Sequence, residues 1–195
     1  MVPSVTAPRR RATYADLLEV PEHLVAEIID GELLTSPRPA SPHALAASAI
    51  GSALFDRFNG PPGGADRPGG WWILFEPELH LGEDVLVPDH AGWRRERMPA
   101  LPDVVGFTLP PDWVCEVISP HNERHDRARK MPVYAREGVR HAWLVDPLDR
   151  SLEVFRLEAG RWSLLITHRG DEIVRAEPFQ AVEVDLLGLW GESRA

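Results

Sequence analysis

Apolar and polar positions along the chain fall into short blocks that read as strands, broken by three stretches with helical spacing. Thr13 followed by Asp16 resembles a capping box, opening a short helix to about Val20, where Pro21 ends it. Two apolar runs, 25–29 and 32–34, flank Asp30-Gly31, a pair that favours the positive φ angles of a type I′ turn and so predicts a hairpin. Ser41-Pro42 starts a second helix, Leu45, Ala49, Ala53 and Ile50, Leu54, Phe58 carry its spacing, and Gly60 stops it. Residues 60–70, rich in glycine and proline, predict a flexible loop. Residues 71–81 read as one strand, followed by a turn at 82–84 and a second strand at 85–87 that runs into Pro88-Asp89. The proline-rich stretch 94–111 reads mostly as loop, and 113–119 as a short strand of the buried type.

A third helix is expected over 123–137, stopped by Gly138, with Pro132 inside it as a local conflict that predicts a kink. A further strand at 139–145 closes at Asp146-Pro147. Runs 151–157 and 162–167, joined at Ala159-Gly160, form a hairpin, and 184–190 is weakly patterned. Helices and strands in this order predict an α/β protein of the α+β type, with helices packed on a mixed sheet. Regular βαβ repetition is absent.

At 195 residues and 44% hydrophobic content there is material for one domain with a buried core, expected over 13–195. Residues 1–12 carry Arg9, Arg10 and Arg11 with no apolar stretch after them, so they are expected to be a disordered tail and not a secretory signal. No run approaches the length of a membrane span. The lone Cys115 has no internal disulfide partner and is expected to be a buried strand thiol, which fits the cytoplasm. The net charge of −9 is awkward for a nucleic-acid partner, although arginines cluster at 94, 95 and 97 and again at 124, 127 and 129.

The common signatures are missing: no glycine-rich phosphate loop, no GxGxxG, no GxSxG and no HExxH, so no organic cofactor is implied. His121 and His125 stand four apart near a helix start, a spacing that a solvated loop explains as well as a metal would. What remains is a set of carboxylates. Glu116 sits mid-strand in Trp-Val-Cys-Glu-Val-Ile-Ser, where an ionised acid needs a cation or hydrogen bonds. Asp89 ends an apolar run. Two such acids on adjacent strands repel each other, and a hard divalent cation relieves that repulsion. Lys130 shares a helix face with Asp126 and Tyr134 at spacings of four, which also describes an ordinary Asp–Lys helix pair.

Pro88-Asp89, Cys115-Glu116-Val117-Ile118-Ser119-Pro120, Asp126, Lys130, Tyr134, Gly138-Val139 and Trp143-Leu144-Val145-Asp146-Pro147 together resemble the Uma-type family of restriction endonucleases, within the PD-(D/E)XK nuclease superfamily. The resemblance extends upstream to Glu27, Asp30-Gly31 and Ser41-Pro42-His43, and so spans about residues 13–190. It implies a restriction-endonuclease-like fold, a central mixed sheet flanked by helices. It also implies a DNA endonuclease dependent on Mg²⁺ or Mn²⁺, with Asp89 and Glu116 as metal ligands and Lys130 and Glu27 as further catalytic residues. His43, Asp126 and Tyr134 would be auxiliary. The superfamily lysine would fall at 118, where this chain has Ile118, and Lys130 on the following helix takes its place. Asp112 lies too close to Glu116 to come from a neighbouring strand, and Asp103 lacks a clear strand before it. Arg124, Arg127 and Arg129 are the expected phosphate contacts, and cutting both strands would favour a homodimer. The alternative is a nuclease-like fold that no longer cuts and serves as a nucleic-acid or protein interaction module.

Overall fold

Strand β8 (Trp113–Val117) organises the protein, because all five of its residues are buried and both of its faces must therefore be covered. It lies inside a six-stranded sheet. On one side it pairs in parallel with β9 (His141–Asp146), which continues antiparallel to β10 (Ser151–Glu158) and β11 (Arg161–Arg169). On the other side it pairs antiparallel with β6 (His90–Arg94), which pairs with the edge strand β3 (Trp71–Phe75). A second, five-stranded sheet runs in the order β2 (Glu32–Pro37), β1 (Leu24–Ile29), β5 (Asp84–Leu86), β4 (Glu78–Leu81) and β7 (Gly106–Phe107), with β4 and β7 parallel. Both sheets are thus mixed in strand direction. The computed structural model describes residues 10–120 and 122–194.

Alternation along β8 sends its side chains to two cores. Trp113, Cys115 and Val117 pack under helix α2 (Ser41–Phe58) and the C-terminal segment, with Ile50, Leu54, Trp143 and Phe179. Val114 and Ile118 face the opposite way, onto Leu79 and Leu86 from the second sheet, Trp93 of β6 and Tyr134 of helix α4 (Met131–Arg136). Glu116 belongs to this second face. A short helix α1 (Tyr14–Leu18), the two-stranded pair β12 (Ile173–Val174) and β13 (Val184–Asp185), and the one-turn α5 (Leu186–Leu189) complete the fold.

Most expected elements are present, with several exceptions. The hairpin turn has positive φ at both Asp30 (54°) and Gly31 (79°), as a type I′ turn requires. Cys115 is a fully buried free thiol. The stretch 71–81 is not one strand: it breaks at Glu76 (φ 43°) and Pro77, leaving the first sheet and entering the second. Pro77 cannot donate to a strand ladder, so the break falls where the ladder would fail.

Strand β6 was not expected, because His-Ala-Gly-Trp-Arg shows no alternation. Its small residues are explained by crowding, since a Cβ on Gly92 would come within 3.2 Å of the Trp113 ring and 3.3 Å of Trp71. The stretch read as loop from 94 contains the end of β6 and all of β7. Residues 60–70 fold back on the helix end through the Gly63–Pro68, Gly69–Arg57 and Gly70–Gly60 backbone hydrogen bonds, so they form a tied turn and not a loose connection.

The helix expected over 123–137 comes in three pieces: α3 (Glu123–His125), a π-helical turn (Asp126–Lys130) and α4. Met131 N–H donates to Asp126 O, five residues back, so the helix widens just before Pro132 instead of kinking there.

Residues 1–9 of the expected tail lie outside the described residues. Within its remainder, Ala12 N–H donates to Gly31 O at 2.8 Å and Arg10 pairs with Asp16 at 2.6 Å. Among the described residues, no helix is long and apolar enough to cross a membrane.

Phe179 touches the rings of Phe58, Trp71, Trp113 and Trp143 at centroid distances of 4.7, 4.9, 4.9 and 5.6 Å. Phe179→Ala therefore empties the centre of the α2-side core. A loss of about 3–5 kcal/mol is expected, read from the urea midpoint.

Candidate active site

Two strand ends and one helical turn converge beside the seam between the sheets. One residue beyond the His90–Cys115 pair stand Asp89, at the head of β6, and Glu116 on β8. Asp89 is held from both sides: Val117 N–H donates to its Oδ2 at 2.7 Å, and His43 Nε2 lies 3.2 Å from its Oδ1. The break at Glu76 is part of the same arrangement, since Glu76 N–H donates to Asp89 O. Asp89 thus leads into a strand, whereas the sequence places it at the end of one.

From the second sheet, β1 contributes Glu27. Its Oε1 accepts Val87 N–H at 2.8 Å, and its Oε2 lies 3.0 Å from His125 Nε2. The π-helical turn then delivers Lys130 into the gap. Its Nζ lies 3.0 Å from Glu27 Oε1, 3.2 Å from Glu116 Oε2, 3.2 Å from Val87 O and 3.7 Å from Asp126 Oδ1. Tyr134, one turn further, donates its hydroxyl to Glu116 Oε1 at 2.6 Å. The residues singled out from sequence therefore meet in one place: Glu27, Glu116, Asp126, Lys130 and Tyr134 form a hydrogen-bonded or charge-paired group, with Asp89 and its partner His43 beside it. A cavity of about 440 Å³ opens onto this group.

The electrostatics follow from packing four carboxylates, Glu27, Asp89, Glu116 and Asp126, around one permanent cation. Burial pushes the Glu116 carboxyl well up; Lys130 opposes this, and the charges of Asp126, Asp89 and Glu27 add to it. Burial also raises Asp126, against Lys130 and with Glu27 and Asp89, to about 6. Glu27 differs. Burial raises its carboxyl, but the Lys130 charge and the hydrogen bonds from His125 and Val87 outweigh that and hold it below the usual range. Burial works against the Lys130 ammonium, yet Glu116, Glu27, Asp126 and Asp89 keep it firmly charged. Burial similarly opposes protonation of His43, and its contact with Asp89 more than compensates.

Arg127 is engaged by Glu123 and Glu153, and Arg129 by Glu32 and the Ile29 carbonyl, so two of the three expected phosphate contacts are already paired. Asp112, the rival acid, is buried in an ion pair with Arg97 and accepts Arg94 N–H. Sequence reasoning passes over His125 as half of a weak histidine pair; His121 lies outside the described residues, and His125 instead orients Glu27. The backbone groups of Val87 and Val117 carry no sequence signal at all.

The fold defines a class. The chain superposes on the crystal structure of a "putative nuclease belonging to DUF820" from Anabaena variabilis with a TM-score of 0.73 at 20% identity, covering 92% of this chain and 98% of that one. The two share a nuclease-like fold with mixed sheets flanked by few helices. Residues 12–187 match the model of the Uma2 family, described as "Putative restriction endonuclease", and the chain belongs to that family. No curated protein matches it.

A raised carboxyl makes metal-free stability pH-dependent. Asp126, lifted from 3.8 to about 6, adds stability that is complete below 3.8 and lost as pH rises through about 6. In the presence of a chelator, Asp126→Asn should remove that loss and gain on the order of 1–3 kcal/mol at pH 8, with no gain at pH 3.5. Urea denaturation at the two pH values checks it.

Proposed function

We propose that this protein is a divalent-cation-dependent endonuclease that hydrolyses DNA phosphodiester bonds. The observation that carries the reading is the convergence of Asp89, Glu116 and Lys130, three residues from separate parts of the chain, at the floor of one open cavity. Family membership and the nuclease-like fold support a nuclease role.

The donor set fits a hard cation. All the acids offer oxygen, and a single ammonium leaves their charge in excess. Among the described residues, no three His, Cys, Asp or Glu side chains form a closed cage for a metal. Mg²⁺ and Mn²⁺ use one or two carboxylates, keep several waters and take substrate oxygens, and each oxygen of Asp89 and Glu116 has a second lone pair beyond the contact it already makes. Asp89 and Glu116 would hold the ion, and when bound it would supply charge at the phosphorus centre and a more acidic water.

The chain's own residues do the rest. Lys130 remains an ammonium, so it donates hydrogen bonds and stabilises negative charge; it is not a proton acceptor. Glu27 fixes Lys130 and takes its own orientation from His125 and Val87. Tyr134 fixes the second oxygen of Glu116. His43 braces Asp89 from α2.

A second reading, a non-cutting interaction module, draws on the net charge of −9 and on the pairing of Arg127 and Arg129. Incubating supercoiled plasmid with the pure protein and Mn²⁺ separates the two. Nicking is expected from the wild type, falling by about 100-fold or more in Asp89→Ala and Glu116→Gln. Nicking that persists equally in both variants, or no nicking by any of the three, removes the nuclease reading.

A further inference from the structure

The four buried carboxylates of the cavity can be followed oxygen by oxygen. Glu27 has both oxygens engaged, one by Val87 N–H and Lys130 and the other by His125. Asp89 is engaged at both, by Val117 N–H and His43. Glu116 is engaged at both, by Tyr134 and Lys130. Asp126 is the exception. It is 1% exposed, it lines the same cavity, and neither of its oxygens has a hydrogen-bond partner among the described residues. Lys130 attracts it from 3.7 Å, beyond hydrogen-bond range.

A buried carboxylate without donors is costly, so native proteins rarely keep one without a role. A helix-pair role does not explain it. An exposed Asp–Lys pair needs no burial, and this one lies on a π-helical turn, a geometry that recurs at functional sites. A metal-cage role is not supported either, because among the described residues no three His, Cys, Asp or Glu side chains stand in a geometry that could hold a metal ion. The remaining use for an unclaimed carboxylate at the wall of a cavity is to accept a hydrogen bond from a group brought in against it. In the proposed reaction the entering group next to Lys130 is the attacking water.

We infer that Asp126 is the proton acceptor of the hydrolysis, taking a hydrogen bond and then the proton from the water that attacks phosphorus. The inference rests on the nuclease reading and adds a catalytic residue to it. As the water oxygen forms its bond to phosphorus, its proton passes to an Asp126 oxygen. The bond from phosphorus to the leaving sugar oxygen breaks, and that oxygen takes a proton from solvent water. Lys130, charged and unable to accept, holds the water from the other side and stabilises the phosphate oxygens. The burial-raised carboxyl suits the task, since an acceptor works best when its affinity for a proton lies near the working pH.

Asp126→Asn and Asp126→Ala test it, with Mn²⁺ titration by calorimetry and cleavage of a duplex DNA measured side by side. The Asp126→Asn variant is expected to keep Mn²⁺ and DNA affinity within about threefold, to leave KM unchanged, and to lower kcat by about 100-fold or more. Added formate, a small carboxylate able to enter the space that Asp126→Ala opens, should restore part of that variant's rate. Asp126→Glu guards against a folding defect in either variant: it retains a carboxylate and should keep a measurable fraction of kcat with wild-type Mn²⁺ affinity. Wild-type kcat in Asp126→Asn overturns the inference and leaves the nuclease reading intact. Loss of Mn²⁺ binding along with kcat, or no formate response in a folded Asp126→Ala, also overturns it, because Asp126 would then be a ligand or a support. A wild-type protein that cuts no DNA removes both readings together.

Discussion

The arrangement depends on one buried ammonium. Lys130 Nζ is the meeting point of Glu27 from the second sheet, Glu116 from the first and the Val87 carbonyl from the segment that crosses between them. Taking charges out of water costs several kcal/mol per ion, and such a group survives only where its partners are well placed. Here the partners come from three separate elements, so the ion pairs fix how the two sheets and the helical turn sit together. The pairing also sets the chemistry. Because four carboxylates surround it, the lysine stays charged, and because only one lysine is present, the acids remain in excess.

Two irregularities of the backbone serve that point. Among the described residues, four non-glycine residues have positive φ; Asp30, Arg150 and Ala159 turn hairpins, and Glu76 sits elsewhere, at the break that reaches Asp89. The helix carrying Lys130 widens into a π-turn just ahead of a proline. The Glu76 break and the π-turn both fall where candidate site groups are positioned, as expected when a site is built at the expense of ideal structure.

This explains which features could be read from the chain. Asp30-Gly31 and Ala159-Gly160 announce their hairpins because turn chemistry is local. The spacing of Asp126, Lys130 and Tyr134 places them on one face, and the acid inside an apolar run marks Glu116 as a group in need of a partner. Strand β6 is invisible in the sequence. A central strand covered on both faces shows no alternation, and Ala91 and Gly92 lie where the strand is crowded, with Trp71 and Trp113 against Gly92. The break at Glu76 depends on which sheet each half joins, a long-range matter. The same holds for Arg127 and Arg129: both belong to a basic cluster in sequence, yet Glu153 and Glu32 arrive from distant strands to pair with them.

That pairing bears on how a polyanion could approach. DNA carries about one negative charge per 1.7 Å of helix axis, and sequence-independent affinity comes from cations that neutralise it. This chain has a net charge of −9, and its cavity is lined by acids. A phosphate entering the bare cavity would meet Glu116 and Asp126, with Lys130 the charge placed between them. For the proposed reaction, the cation therefore has a second task beside the chemistry: it reverses the sign of the site that the phosphate must enter. The same excess of acid that destabilises the metal-free fold makes substrate binding conditional on the ion, so in this reading the two functions of the carboxylates cannot be separated.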